Sequence, residues 1–275
     1  MQTLNKIYSS YLKNYLDKNP LFNRFGVKVF IIFNKKKKEK LILDTFEQLL
    51  KTFNFYSVHY LYCYYNNLTE IIRKDYNIKE LIRAIKLMIE QKVDSIILSR
   101  KLENNTDQIR FSIGYHQNIS GYDYVEIKID EGFIINFTQN EHFINKFTNI
   151  LENLQSQYFV ISPAFLGSLQ SSKAIQDLQI NLQQQRLTLL LDYPFPNSNE
   201  NYDYVFWINA FKLTDATVNT LSQIDNGLKF KTFEIDHQNN FVIIKTKQPI
   251  VKQIEINEFN YIKNIISSLY KNYVK

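Results

Sequence analysis

The spacing of hydrophobic side chains predicts strands interleaved with helices in the first part of the chain. Residues 27–33 are rich in β-branched and aromatic side chains, which predicts a strand buried on both faces. Asn77 followed by Glu80 matches a capping box at the start of a helix. The same patterns predict further elements: amphipathic helices over 3–17 and 41–53 and strands over 57–64 and 94–100.

The second part of the chain repeats this alternation with more strand pairs. The predicted elements are a hairpin of 109–115 with 122–129, a helix after the capping box Thr138 to Glu141, a strand over 158–162 that Pro163 ends, a helical or irregular segment over 168–185, strands over 187–191 and 204–211, a short helix capped by Thr214, a hairpin of 229–235 with 241–246 across 236–240, and a final helix from Asn257.

Polar residues 103–108 separate these two sets of elements and are the best candidate for a boundary. Strands and helices alternate without a regular βαβ order. We therefore predict an α+β fold with mainly antiparallel sheets, arranged as two packed α/β lobes. The expected division is an N-terminal amphipathic helix over 1–24, a first lobe over 25–102 and a second lobe over 103–275.

Composition narrows the class of protein without naming a chemistry. The 275 residues are 45% hydrophobic and 22% charged, which excludes a disordered or collagen-like chain. One cysteine excludes a disulfide framework and a cysteine-rich zinc site. No apolar run reaches the roughly 18 residues of a membrane span, and the N-terminus lacks the features of a signal peptide. We expect a protein of the cytoplasm that is not exported.

Charge is distributed unevenly along the chain. The formal net charge is +6, and the lysine-rich run 35–40 stands out. This run is compatible with a nucleic-acid or membrane adaptor, but no aromatic or glycine residue interleaves the lysines, which favours a solvated turn. Residues 106–211 hold 5 Lys/Arg against 11 Asp/Glu. Their acids form either a solvated face or a docking surface, whose candidate residues are Asp123, Glu126, Asp130, Glu131, Glu200 and Asp203.

One constellation resembles a catalytic site. Asp107, Glu126 and Lys128 follow the order used by magnesium-dependent nucleases, and strand alternation places Glu126 and Lys128 on one face. The tripeptide around Ile127 is common in solvent-facing strands, however, and the usual preceding Pro-Asp is missing. His59 and Cys63 lie about 13 Å apart along a predicted strand, too far for a nucleophile–base pair. No metal-ligand spacing, phosphate loop or nucleophile elbow occurs, so we expect no catalytic residue, metal or cofactor.

The segment Tyr204-Val-Phe-Trp-Ile-Asn-Ala-Phe211 is similar to a characteristic strand of the immunity protein 52 family, from bacterial polymorphic-toxin and type VI secretion systems. The following short helix, the hairpin after Asn226-Gly227 and the last helix match the family's order. Segments 109–114 and 123–127 resemble its central strand pair, and residues 25–101 fit its opening strand and helices. The resemblance therefore covers roughly residues 25–274. Trp207, the single tryptophan, is expected to be a core anchor.

The resemblance implies an inhibitor without catalytic activity that binds one cognate toxin, commonly a nuclease domain with a restriction-endonuclease fold. Its acidic groups would imitate phosphates in a cationic cleft, or its surface would cover the toxin away from the active site. Three functions remain open on sequence alone. They are a toxin-neutralising binder, a magnesium-dependent nuclease, and a basic nucleic-acid or membrane adaptor.

Overall fold

The structure is a computed structural model that describes residues 25–33, 38–52, 58–65, 71–101, 109–117, 123–130, 141–165, 205–222, 230–247 and 255–271. Several predicted features lie outside these residues: the N-terminal helix, most of the lysine run, Thr138, the segment 168–185 and the strand over 187–191. None of the helices in the described ranges is long and apolar enough to cross a membrane.

The described residues form ten strands and five helices. The strands are β1 Phe25–Phe33, β2 Tyr60–Tyr65, β3 Ile71–Asp75, β4 Val93–Lys101, β5 Ile109–Gln117, β6 Asp123–Asp130, β7 Tyr158–Phe165, β8 Ile208–Lys212, β9 Phe233–Gln238 and β10 Phe241–Thr246. The helices are α1 Glu39–Thr52, α2 Ile78–Ile89, α3 Glu141–Asn153, α4 Asp215–Ser222 and α5 Ile256–Lys271.

All ten strands belong to one sheet, in the order β3-β2-β4-β5-β6-β1-β7-β8-β10-β9. Every neighbouring pair is antiparallel. β1 lies inside the sheet between β6 and β7, which follow it in sequence by about a hundred residues or more. The predicted α+β class with antiparallel strands is confirmed.

Two hydrophobic cores lie on opposite faces of this sheet. On the face that we call the front, alternate β1 residues Val27, Val29 and Ile31 join a cluster with α1, α2 and α3. On the back face, Phe30 and Ile32 of the same strand join a cluster with α5. Because successive strand residues point to opposite faces, β1 contributes to both cores. Burial of both faces explains its nearly continuous run of apolar residues.

The two predicted lobes are therefore not separated in the way the sequence suggested. β4 and β5, which flank residues 102–108, pair directly with each other from Ser95–His116 to Lys101–Ile109. The polar segment joins two neighbouring strands of one uninterrupted sheet. Both cores exist, but they are divided by the faces of the sheet and not by position along the chain.

Local signals placed most helices correctly. Asn77 caps α2 by accepting a hydrogen bond from the Glu80 backbone N–H at 2.9 Å. The Glu80 carboxylate itself contacts Lys74 Nζ at 2.6 Å, so it serves an ion pair with β3. Thr214 Oγ1 likewise accepts from the Thr217 N–H before α4. Trp207 is buried in the front core, as expected.

Three strand predictions need correction. β3 was not predicted, because its short sequence Ile-Ile-Arg-Lys-Asp shows no clear alternation. β7 continues through Pro163, which lies opposite Val27. Its pairing with β8 ends at Ile161, so the missing N–H of Pro163 interrupts no second ladder. The β9–β10 turn is only Asn239-Asn240, and β9 extends through residues assigned to the loop.

Candidate functional site

Polar side chains are buried where β1, β4, β5 and β6 lie side by side. The register places Ser95 opposite His116, His116 opposite Tyr124, and Lys28 opposite Lys128. Directly paired residues project from the same face, which here is the back face. The group that we call the back-face polar cluster consists of Lys28, Ser95, His116, Tyr124, Glu126 and Lys128.

His116 is the member of this cluster whose side chain ordinarily ionises near neutral pH, and it is buried. Its Nδ1 lies 2.7 Å from Ser95 Oγ, and its ring stacks on Tyr124 with centroids 4.7 Å apart. The side chain is 7% exposed, and Nε2 has no hydrogen-bond partner among the residues that the structure describes. Burial lowers the pKa of His116 to about 4, although the Glu126 carboxylate partly opposes the shift. The imidazole is therefore neutral at pH 7.

Gly114 allows this ring to lie flat against β5. A Cβ atom added at Gly114 would lie 2.5 Å from His116 Nε2 and 3.3 Å from a side-chain carbon of Ile97. The first of these contacts is shorter than real Cβ atoms show, and the second is merely tight. The position therefore accepts glycine because the ring of His116 occupies the space that a side chain would need.

Glu126 is held between two lysines. Its carboxylate oxygens lie 3.1 Å from Lys128 Nζ and 3.7 Å from Lys28 Nζ. Burial alone would raise the pKa of this carboxyl, but the two ammonium groups outweigh it and lower the pKa below the usual value. The group is a buried, paired carboxylate whose charge is balanced inside the protein.

Asp123 occupies the opposite face of the sheet. It is fully buried, and Tyr115 Oη donates a hydrogen bond of 2.7 Å to its carboxylate. Burial, together with the neighbouring Asp123 charge, raises the pKa of Tyr115. The phenol therefore stays protonated and remains a donor. This pair belongs to the front core, where Tyr115 stacks on Phe33.

Two members of the predicted acidic surface, Asp123 and Glu126, do not lie on a shared exposed surface. Asp123 and Glu126 are both buried, and they point to opposite faces. Alternation along β6 explains the separation, since residues three apart have opposite parity. Asp130 is the last residue of β6, and Glu131, Glu200 and Asp203 lie outside the described residues. A docking role for these last four acids stays a prediction.

The nuclease-like set is brought together only in part. Glu126 and Lys128 share a face and touch, as alternation predicts. Asp107 lies outside the described residues. Within the described ranges, no group of three or more His, Cys, Asp or Glu residues is arranged to hold a metal ion.

Cys63 and His59 are not partners. Cys63 is buried in the front core, where burial raises the pKa of its thiol despite the Lys74 charge. His59 is exposed and lies just before β2.

Four members of the back-face polar cluster were not predicted from the sequence: Lys28, Ser95, His116 and Tyr124. β4 and β5 each contain several polar residues, so no local motif marks Ser95 or His116. Alternation paired Glu126 with Lys128 and puts Tyr124 on the same face of β6, whereas Lys28, Ser95 and His116 come from β1, β4 and β5. Only the register between strands brings them together.

The chemistry open to this cluster follows from its charges. A hydroxyl beside an imidazole is the arrangement of an activated nucleophile. An imidazole with a pKa of about 4 is a weak base at neutral pH, however, and abstracts a hydroxyl proton poorly. The Glu126 carboxylate is already ion-paired with Lys28 and Lys128. The cluster is therefore suited to fixing the register of four strands by polar contacts.

Comparison with known proteins shows similarity at the level of structure. No protein-family model matches the chain, and a search of curated proteins finds no match. Among solved structures, "Pseudomonas aeruginosa T6SS protein PA0821" superposes with a TM-score of 0.59 at 11% identity. The match covers 94% of this chain and 83% of that chain. The two proteins share a fold that extends over nearly the whole of the described sheet and its helices.

Proposed function

We propose that this protein is an immunity protein of a type VI secretion system, which binds a cognate toxin and blocks it without catalysing a reaction. The proposed partner is a nuclease-type effector domain, and the proposed compartment is the cytoplasm. The main support is the structural similarity to the Pseudomonas aeruginosa T6SS protein over 94% of the chain. The segment around Trp207 adds an independent likeness to a family of toxin-neutralising proteins.

The architecture is compatible with a protein whose work is done by its surface. One sheet with a core on each face gives a rigid body, since its central strands are packed from both sides. Rigid partners lose little conformational entropy on binding, which favours tight association. The other four acids of the predicted docking surface, Asp130, Glu131, Glu200 and Asp203, are proposed contacts to a cationic cleft of the toxin.

The test is co-expression with the protein encoded immediately upstream of this chain's own gene. In a bacterial host, we expect that protein alone to stop growth and this chain to restore it. The two proteins should also elute together from a sizing column as a stoichiometric complex.

A matched pair of variants controls this test. Val29→Asp buries a carboxylate at a fully buried position and should abolish both rescue and complex, because the chain will not fold. Lys271→Gln changes an exposed residue at the end of α5 and should leave both intact. Continued toxicity with the wild-type chain present, and no complex, would refute the proposed function.

A further inference from the structure

The two edges of the sheet differ in whether their outward backbone N–H groups already have hydrogen-bond acceptors. Among the described strands, β3 forms one edge of the sheet and β9 the other. In an antiparallel pair, alternate residues direct their N–H and C=O groups toward the partner strand and away from it. An edge strand therefore presents a row of outward groups that another strand can pair with. Which groups are outward follows from the hydrogen bonds at the end of each pair.

Within the residues that the structure describes, β3 leaves its outward groups open. The Tyr76 N–H donates to the His59 C=O, so Tyr76, which directly follows β3, points its backbone N–H toward β2 in register with the β2–β3 ladder. By alternation, Ile71, Arg73 and Asp75 point their backbone groups away from β2. Arg73 and Asp75 are exposed, and their outward N–H groups have no backbone acceptor among the described residues.

β9 is protected in comparison. The Lys247 N–H donates to the Thr232 C=O, so the outward residues of β9 are Phe233, Ile235 and His237. Glu258 of α5 accepts the Phe233 N–H at 3.1 Å, and Asp236 accepts the His237 N–H at 2.8 Å. Two of its three outward donors are thus occupied by carboxylates. A strand adding here would have to displace both.

Side chains around β3 define what kind of strand fits. The guanidinium of Arg73 lies over the Tyr60 ring, 3.8 Å from its centroid, on the back face, and no carboxylate of the described residues forms an ion pair with it. Lys74, on the front face, is already paired with Glu80. Asp75 is an exposed acid at the end of the strand and would repel an acid beside it. The edge therefore favours an acidic residue next to Arg73 and a neutral one next to Asp75.

We propose that β3 is a docking edge that accepts an extended segment of a partner protein as an eleventh strand, with an acidic residue beside Arg73. Backbone hydrogen bonds to Arg73 and Asp75 supply the affinity, and Arg73 supplies the selectivity. The proposal rests on the proposed function and deepens it by naming the surface of this chain that contacts the toxin. It is tested separately from toxin neutralisation.

The experiment selects random peptides of about ten residues, the length of a strand, for binding to the full chain. Three variants are compared with the wild type. Arg73→Pro removes an outward N–H without touching the β2–β3 ladder. Arg73→Glu keeps that N–H but reverses the charge. His237→Pro is the matched control on the other edge, since its N–H is also outward and its side chain is exposed.

We expect acidic peptides to be enriched, and to bind Arg73→Pro and Arg73→Glu each about tenfold more weakly while binding His237→Pro normally. Thermal unfolding checks that each variant folds, and Asp75→Pro replaces Arg73→Pro if that variant does not. Failure to enrich peptides, peptides without acids, or equal binding to the Arg73 variants would overturn the proposal. None of these results depends on whether the chain neutralises the upstream-encoded protein.

Discussion

Burial at His116 demands a neutral ring, and the neighbouring residues are arranged for one. Ser95 contacts Nδ1, Tyr124 covers one side of the ring, and Gly114 makes room beneath Nε2. A proton added to this ring would put a positive charge into a buried site near Lys128. The site therefore links folding to pH through one side chain.

Stability should fall as pH decreases from about 6.5 toward 4. The pKa of His116 is about 4 in the folded protein and near 6.5 when unfolded, so in this window the unfolded chain binds the extra proton. Linkage gives a loss of about 2 kcal/mol at pH 5 relative to pH 7. Urea denaturation at both pH values measures it.

His116→Gln should flatten this pH dependence, because glutamine does not titrate. His237→Gln, which alters an exposed histidine, should leave the dependence as it is in the wild type. Equal slopes for the wild type and His116→Gln would show that another group controls stability in this range.

Glu126 should behave as a structural ion-pair residue. Glu126→Gln leaves Lys28 and Lys128 without their shared counter-charge and should destabilise the protein by about 3–5 kcal/mol. Glu234→Gln, which removes a half-exposed partner of Lys245, should cost less than about 1 kcal/mol. Magnesium-dependent cleavage of DNA or RNA that disappears in Glu126→Gln with stability unchanged would instead assign a catalytic role.

At the scale of elements, Glu258 couples a helix to a strand edge. One of its carboxylate oxygens accepts the backbone N–H groups of both Thr232 and Phe233. Glu258→Ala should lower stability by about 1–3 kcal/mol and uncover the β9 edge. We expect increased self-association in sedimentation velocity. Glu255→Ala, which removes an exposed partner of Lys231, is the control. Its self-association should equal that of the wild type.

Elements with strong local signals could be predicted from sequence, and those set by pairing with other strands could not. Asn77 before an apolar helical stripe was sufficient to place α2. β3 carries three charged residues in five and is a strand because β2 pairs with it. A proline usually ends a strand. Here β8 does not pair with β7 beyond Ile161, so the missing N–H of Pro163 breaks no hydrogen bond to β8. In both cases the pairing with a neighbouring strand decides the outcome, and the segment's own residues do not show it.

At the scale of the whole molecule, the strand order was the main feature that sequence patterns did not determine. The apolar run in β1 indicated burial on both faces, but not that β6 and β7 would be its neighbours. The same limit applies to the candidate site. Glu126 and Lys128 could be placed together by alternation, whereas Ser95 and His116 meet through inter-strand register.

A single sheet predicts that the two sequence halves depend on each other. Expressed separately, fragments 1–102 and 103–275 should each fail to fold, because β1 in the first lacks both β6 and β7. The intact chain should unfold in one cooperative transition by circular dichroism and by fluorescence of Trp207. Two separated transitions, or a stable isolated fragment, would contradict this picture.

The central position of β1 also bears on how the chain is made. During translation β1 leaves the ribosome first among the sheet's described strands, but β6 and β7 emerge about a hundred residues or more later. At about 5–20 residues per second, its Val-Phe-Ile-Ile-Phe run waits several seconds without either neighbour. Such a segment is aggregation-prone while unpaired. We expect the nascent chain to rely on chaperones until β7 has been released.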